Sequence, residues 1–289
     1  MGLGSPQLGV VVESVSCLLP GDAEPCPLAI VPVPYSFGNR EYLDGIGLTE
    51  DEFYAELQRW GRSPVTSAPS PAAYLHVFQS LHTSEILCLT VSRRVSTTAE
   101  RCLIAIEEAK HVLPDRTIAL VDSGTAGMAQ GLLALRACQL AAQGRSLKEV
   151  VADLEHSRRR AHLFIFLDTL RYLATTGRLQ RIATLAGGVL QVKPVVHVHD
   201  GNFQVIRIAR SRRQAIEVLL EQVVVAVRDR GLKELWVQHA HASGEGDRLA
   251  EEVQRRFPEL SVRIRAFSTV MGAYAGPGLL GFAWMDGLT

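Results

Sequence analysis

From its first residues onward this chain alternates short apolar runs with helix-like stretches, and that alternation restricts it to a small set of layered folds. Leu8–Val12 is a short apolar strand, and Leu28–Pro34 is a second with prolines near its end. Thr49–Arg59 begins on a Thr cap with acidic residues in the first turn and predicts a helix. Ala72–Ser80 predicts a helix, Ile86–Val91 a buried strand, Ala99–His111 a helix and Thr117–Val121 a strand. Ala126–Gln143 is a long Ala/Leu helix, followed by Ser146–Arg159, where Ser146 is the cap and Glu149 holds the capping-box position. Elements in this order predict βα units around a mostly parallel sheet, flanked by helices.

From His162 the pattern changes. Leu163–Leu167 is apolar, and Thr169–Ala174 and Ile182–Leu190 look helical on either side of Thr175-Thr176-Gly177-Arg178. Val195–His199 and Phe203–Ile208 flank Asp200-Gly201, a strong hairpin signal. Gln214–Arg228 is helical, Glu234–Gln238 a strand, Asp247–Phe257 a helix and Ser261–Phe267 a strand, and glycine-rich Gly276–Gly281 precedes a closing apolar strand. A hairpin among helices points to a mixed sheet. The expectation is therefore an α/β protein of two domains: 1–161 with a mostly parallel sheet, and 162–289 with a mixed sheet.

Thirty basic and thirty acidic side chains among 289 residues give zero formal charge, which argues against a general binder of nucleic acid or anionic membranes. Hydrophobic residues make up 47% but aromatic ones only 6%, a surplus of Ala, Leu and Val that suits a large core or an apolar ligand cavity. No run reaches membrane-spanning length without a charge. The N-terminus has no basic region leading into an apolar core, and Pro6 breaks the myristoylation pattern that Met1-Gly2 begins. Five scattered cysteines form no CxxC and no metal spacing. These features fit a cytoplasmic, reduced protein.

One loop is unusually rich in oxygen donors. Pro64-Val-Thr-Ser-Ala-Pro-Ser-Pro71 holds Thr66, Ser67 and Ser70 between prolines, which fix φ and push their predecessors toward extended backbone. Ser70-Pro71 suits a helix N-cap, whereas Thr66 and Ser67 lie upstream of it. Ligands of parallel α/β sheets sit at the carboxyl ends of strands, and the loops there are Glu13–Ser16, Ser92–Thr98 and Asp122–Thr125. Each carries hydroxyls without a Ser-His-Asp or Cys-His arrangement, a pattern that suits oxyanion binding better than nucleophilic catalysis. Ser96, Asp122 and Ser123 equally suit caps of the helices that follow. His197 with His199, and His239 with His241, alternate along strands, but with no carboxylate pattern nearby they fit ordinary strand positions better than metal ligation. No GxGxxG and no Walker lysine motif is present, so nucleotide binding lacks support.

In this order the segments resemble the DegV family, whose bacterial members include the fatty-acid-binding subunits of fatty acid kinase. The strongest block is Leu167-Asp-Thr-Leu-Arg-Tyr-Leu-Ala-Thr-Thr-Gly-Arg-Leu179 with Lys193-Pro194. Pro34–Gly38 with Tyr42-x-Asp44-Gly45, Thr66-Ser-x-Pro69-Ser, Val121-Asp-Ser123 and Gly276-Pro-Gly278 fall in register with it. The resemblance implies a non-catalytic subunit, without cofactor, that encloses a long-chain fatty acid between apolar elements. Its carboxylate would be held by Thr66, Ser67, Ser92, Arg93, Ser96 and Tyr274, and presented to a separate ATP-dependent kinase docking near Arg178 and Arg210. The departures cluster on the head-group site: Glu13-Ser14-Val15 stands for the family's D-S-T, Arg93 for its second serine, Thr97 for a glycine and Ala99 for a tyrosine. Tyr274 stands where the family has a histidine, and tyrosine donates a hydrogen bond without becoming cationic near neutral pH. Two other readings stay open: a lipid sensor with no kinase partner, and a phosphotransfer or carbonyl-handling enzyme using His239, His241 or Asp122.

Overall fold

The computed structural model describes residues 7–173 and 192–287. β1 (Leu8–Glu13) and β2 (Leu28–Val31) precede a small hairpin, β3 (Pro34–Phe37) and β4 (Arg40–Leu43). Next come α1 (Glu50–Trp60), β5 (Val65–Thr66), α2 (Pro71–Ser80), β6 (Glu85–Thr90), α3 (Thr98–Val112), β7 (Thr117–Asp122), α4 (Gly127–Ala142) and α5 (Leu147–Ser157). β8 (Ala161–Phe166), β9 (Lys193–His199), β10 (Asn202–Ala209) and α6 (Arg212–Arg230) follow. The chain closes with β11 (Glu234–His239), α7 (Ser243–Arg256), β12 (Ser261–Ala266), α8 (Thr269–Ala275) and β13 (Leu280–Met285).

These strands make a four-stranded parallel sheet in the order β2-β1-β6-β7 and a six-stranded mixed sheet in the order β10-β9-β8-β13-β11-β12. Within the mixed sheet only β11 and β12 run parallel. The expected α/β class, one parallel sheet flanked by helices and one mixed sheet, is what the chain adopts. A third, three-stranded sheet (β4-β3-β5) sits beside them.

Local chemistry explains most boundaries. Thr49 and Ser146 each close a complete capping box with Glu52 and Glu149, and the Ser70 hydroxyl caps α2 by accepting from the Ala73 amide at 3.2 Å. Asp200 and Gly201 both take positive φ, 43° and 77°, as a two-residue turn between β9 and β10 requires. Two readings need correction. Leu28–Pro34 is not one strand: Pro32 ends β2, and the Val33 amide turns to the Ser14 hydroxyl at 3.1 Å, so the chain crosses to another sheet. The expected helix over Thr169–Ala174 does not start at Thr169: its hydroxyl captures the Arg171 amide at 3.1 Å and the chain turns at Arg171 and Tyr172, Ala174 lying outside the described residues. The expected helix at 182–190 lies outside the described residues.

Helix α4 is enclosed on nearly all sides, packing on β1 and β6 of one sheet and on β8 and β13 of the other. Its Gly127, Ala129, Gly131, Ala134 and Ala137 keep it slim enough to fit between them. One apolar cluster accordingly runs through both sheets, from Val10 and Leu89 to Leu163 and Ala283.

At the carboxyl end of β1 the Glu13 side chain is fully buried. It accepts from the Tyr74 hydroxyl of α2 at 2.8 Å, the Val91 amide at 3.1 Å and Gln130 Nε2 of α4 at 2.7 Å, joining three elements. Burial pushes its carboxyl up from 4.5 to about 6 despite those donors. The folded chain therefore holds this proton between those values, where the unfolded chain has released it. The resulting stability is complete below about pH 4.5 and is lost as pH rises through 6, an effect of about 2 kcal/mol. Urea unfolding of wild type and Glu13→Gln at pH 4.5 and 7 should show their stability difference moving against wild type by about that amount. A difference that does not change with pH would mean the carboxyl keeps an ordinary affinity for its proton.

Candidate functional site

Where the parallel sheet, the small sheet and α8 converge, a cavity opens. It is a slot of about 700 Å³ with its mouth included. Its apolar wall comes from Val15, Val33, Ala68, Val91, Val95, Ala126, Leu173, Phe203, Val270 and Met271. Its polar atoms come from Thr66, Ser67, Ser96, Thr98 and Tyr274.

The proline-bounded loop supplies one polar wall. β5 pairs antiparallel with β3, Thr66 opposite Tyr35, and the Ser67 amide donates to the Pro34 carbonyl at 3.1 Å. The Thr66 hydroxyl meets the Tyr274 hydroxyl of α8 in a hydrogen bond. α8 is short and is positioned from outside: buried Asp44 accepts from the Thr269 hydroxyl at 2.6 Å, the Val270 amide at 3.3 Å and the Ser14 hydroxyl at 2.6 Å. The Ser63 hydroxyl donates to the Ala273 carbonyl at 2.8 Å. Gly272 is required for this fit, since a Cβ there would stand 2.0 Å from the Tyr54 hydroxyl.

The loop after β6 supplies the other polar wall. The Ser96 and Thr98 hydroxyls are hydrogen-bonded to each other, and the α3 N-cap, Thr97, makes no side-chain bond. The first turn of α3, whose Thr98 lines the slot, thus has no side-chain cap. Ser96 is not a cap, and neither is Asp122 or Ser123. Asp122 Oδ1 instead accepts from the Gly124 amide at 3.0 Å and the Arg93 amide at 3.4 Å. α4 is capped across the molecule, its Met128 amide donating to Gln238 Oε1 of β11 at 2.9 Å.

Of the candidate carboxylate ligands, Thr66, Ser67, Ser96 and Tyr274 come together on the cavity. Ser92 lies fully buried behind the wall, where its hydroxyl accepts from the Arg94 amide at 3.3 Å. Arg93 is exposed, its guanidinium 4.0 Å from Glu100. Arg210 is exposed at the end of β10 remote from Phe203, roughly 20 Å along the strand. Arg178 lies outside the described residues. Thr98 and Phe203 were not foreseen. Thr98 falls in the same hydroxyl run as Ser96, and Phe203 is the apolar residue nearest the Asp-Gly turn, so both carried a weak signal.

The histidines of the enzyme reading stand elsewhere. His239 is buried on β11, and burial lowers its pKa. His241 stacks on Tyr54 at 4.6 Å and lies 3.7 Å from Asp51. Among the described residues no histidine, cysteine, carboxylate, lysine or arginine lines the cavity. Apolar walls with clustered hydroxyls suit an amphipathic molecule held without covalent chemistry. Among the described residues no helix is long and apolar enough to cross a membrane.

Comparison with known proteins agrees with this geometry. The model described as "Uncharacterised protein, DegV family" matches residues 7–286. A DegV domain-containing protein of Deinococcus radiodurans is 29% identical over 281 residues, covering 96% of this chain and 97% of its own. A stearic acid-binding protein of Eubacterium ventriosum superposes with a TM-score of 0.88 at 26% identity, covering 97% of this chain and 98% of its own. The fatty acid kinase B3 protein of Streptococcus pneumoniae, loaded with linoleic acid, shares the fold with a TM-score of 0.85 at 21% identity, covering 97% and 99%. With the family match running from the first strand to the last, and both sheets shared with its relatives, the chain belongs to the DegV family.

Proposed function

We propose that this chain binds a long-chain fatty acid, its tail in the slot and its carboxylate on the hydroxyls of Thr66, Ser67, Ser96, Thr98 and Tyr274. The observation that carries the reading is the slot itself, walled mainly by apolar side chains, with five hydroxyl-bearing side chains as its only polar lining among the described residues. Burying an alkyl chain contributes about 0.8 kcal/mol per methylene, so the tail supplies affinity. A desolvated carboxylate needs several donors, and the hydroxyls with the uncapped first turn of α3 provide them. Ser92 serves by holding its loop in shape, and Arg93 by adding positive charge at the rim. The stearic acid-binding protein and the fatty acid kinase B3 protein loaded with linoleic acid support the same reading. No step of bond making is assigned to this chain, and no cofactor is needed to hold the lipid.

The second part of the proposal is a carrier role in the cytoplasm: the halves 1–161 and 162–289 enclose the lipid and offer its carboxylate to a separate ATP-dependent kinase, giving acyl phosphate. The relationship to the fatty acid kinase B3 protein supports it. Arg178 and Arg210 would meet the partner.

Protein purified from a bacterial host and extracted under denaturing conditions should release a long-chain fatty acid by mass spectrometry. An empty protein that takes up no added fatty acid would overturn the binding role. Thr66→Val and Tyr274→Phe each remove a donor and should weaken lipid binding about tenfold, near 1.4 kcal/mol, in a fluorescent fatty-acid displacement assay. Unchanged affinity in both would move the carboxylate away from that wall. Neutralising Arg178 and Arg210 together should leave bound lipid in place while acyl phosphate formation by an added kinase falls at least tenfold, roughly the loss of one or two charged contacts. Full acyl phosphate formation would remove these arginines from the docking surface.

A further inference from the structure

A cluster of three histidines stands on the face of the mixed sheet turned away from the cavity. β8 sends Leu163 and Ile165 into the shared core, which puts His162, Phe164 and Phe166 on the opposite face. β9 pairs antiparallel with it, His197 opposite Phe164 and Val198 opposite Leu163, so His199 falls beside His162 one step further on. The His162 and His199 rings stack at 4.6 Å and 10°, and the His197 ring lies on Phe164 at 3.9 Å. One ring nitrogen from each histidine lies within 4.8 Å of the other two.

On two of the three rings the other nitrogen is already engaged. His162 Nε2 is 3.0 Å from Asp286 Oδ2, and His199 Nδ1 is 3.3 Å from the Ala161 carbonyl. Asp286 is fixed in turn by the Trp284 indole N–H, which donates to Oδ1 at 3.1 Å. Metal-ligating histidines commonly have this outer arrangement, one ring nitrogen donating to a carboxylate or carbonyl while the other presents its lone pair. Here it leaves Nδ1 of His162 and Nε2 of His199 as the nitrogens with a lone pair to offer, with His197 Nε2 already 3.0 Å from His162 Nδ1.

We propose that His162, His197 and His199 form a site for a divalent transition metal ion of borderline softness, Zn2+ above all, with Asp286 and the Ala161 carbonyl orienting the rings. Three neutral imidazoles suit such an ion, and water completes the tetrahedron on the half-buried side, where His197 and His199 reach solvent. Tetrahedral bonds of about 2.0–2.1 Å place ligand nitrogens about 3.3 Å apart, so the His162–His197 contact opens by tenths of an ångström and His199 closes by ring rotation. His197 ligates as the tautomer protonated on Nδ1. Arg230 Nη1 stands 3.0 Å from His162 Nε2 and 3.2 Å from Asp286 Oδ2; with the Nε2 proton in place both groups are donors, so in the metal-binding tautomer Arg230 pairs with Asp286 and not with the ring. It is 41% exposed, so it can stay paired with Asp286 or move toward solvent as the metal binds. A bound ion would cross-link β8 to β9 just before the Asp200-Gly201 turn. Sequence spacing hid the site because its third histidine comes from β8 and its carboxylate from the turn after β13.

The test uses the full-length chain without a histidine tag, stripped with chelator and titrated with Co2+ and then Zn2+. One equivalent of Co2+ should give the visible absorption of a tetrahedral centre, and Zn2+ should displace it. His199→Gln, a half-buried position that leaves the core untouched, should lower Zn2+ affinity at least 100-fold, and Asp286→Asn should lower it 10–100-fold. His239→Gln, outside the cluster, should change nothing. Circular dichroism of each variant establishes that it is folded. Absence of a one-to-one Co2+ or Zn2+ complex in the wild type, or equal affinity in a folded His199→Gln, would overturn the site.

Discussion

The structure depends on burying α4 between two sheets at once. A helix exposed on one side needs a single apolar stripe, whereas α4 is apolar or small almost all round and becomes stable only when both sheets are in place. Its own sequence does not cap it. The cap comes from Gln238 on the far sheet, so the helix start and the packing of the two sheets are one and the same contact. Ala126, just before this helix, is part of the slot wall, which ties the ligand site to the same junction.

Around that junction, polar chemistry is spent on position. Glu13 joins β1 to α2 and α4, and Asp44 joins the Ser14 turn to the first turn of α8. Neither carboxylate lines the slot. Each holds a backbone segment that does, so the hydroxyls facing the slot can stay uncharged. Tyr274 fits this pattern: in place of the histidine that the family resemblance implies, the chain puts a phenol paired with Thr66, and the lining gains no titratable cation.

The layered fold was legible because its signals are local. Capping boxes at Thr49 and Ser146, the Asp200-Gly201 turn and the apolar period of β1, β6 and β7 need only neighbours in sequence. What stayed hidden depends on distant partners. Pro32 marks a change of sheet only because Ser14 waits for the Val33 amide, and α8 is too short to announce itself without Asp44 and Ser63. The site divides in the same way. Thr66, Ser67 and Ser96 stood out as hydroxyls in stiff or strand-end loops, while Phe203 reaches the slot only because a hairpin turn rests on Gly124. Ser92 shows the reverse: its residue type suited a ligand, but the turn at Arg94 consumes its oxygen.

The slot draws its walls from Val15 near one end of the chain and Tyr274 near the other, with contributions from six segments between them. Bringing such distant pieces together requires closing long loops, which is entropically late in folding. During synthesis the hydroxyl loop at Thr66 and the wall at Ser96 leave the ribosome long before α8 exists to complete them. A chain still lacking α8 therefore has no finished slot, and the cavity is complete only once that helix has docked.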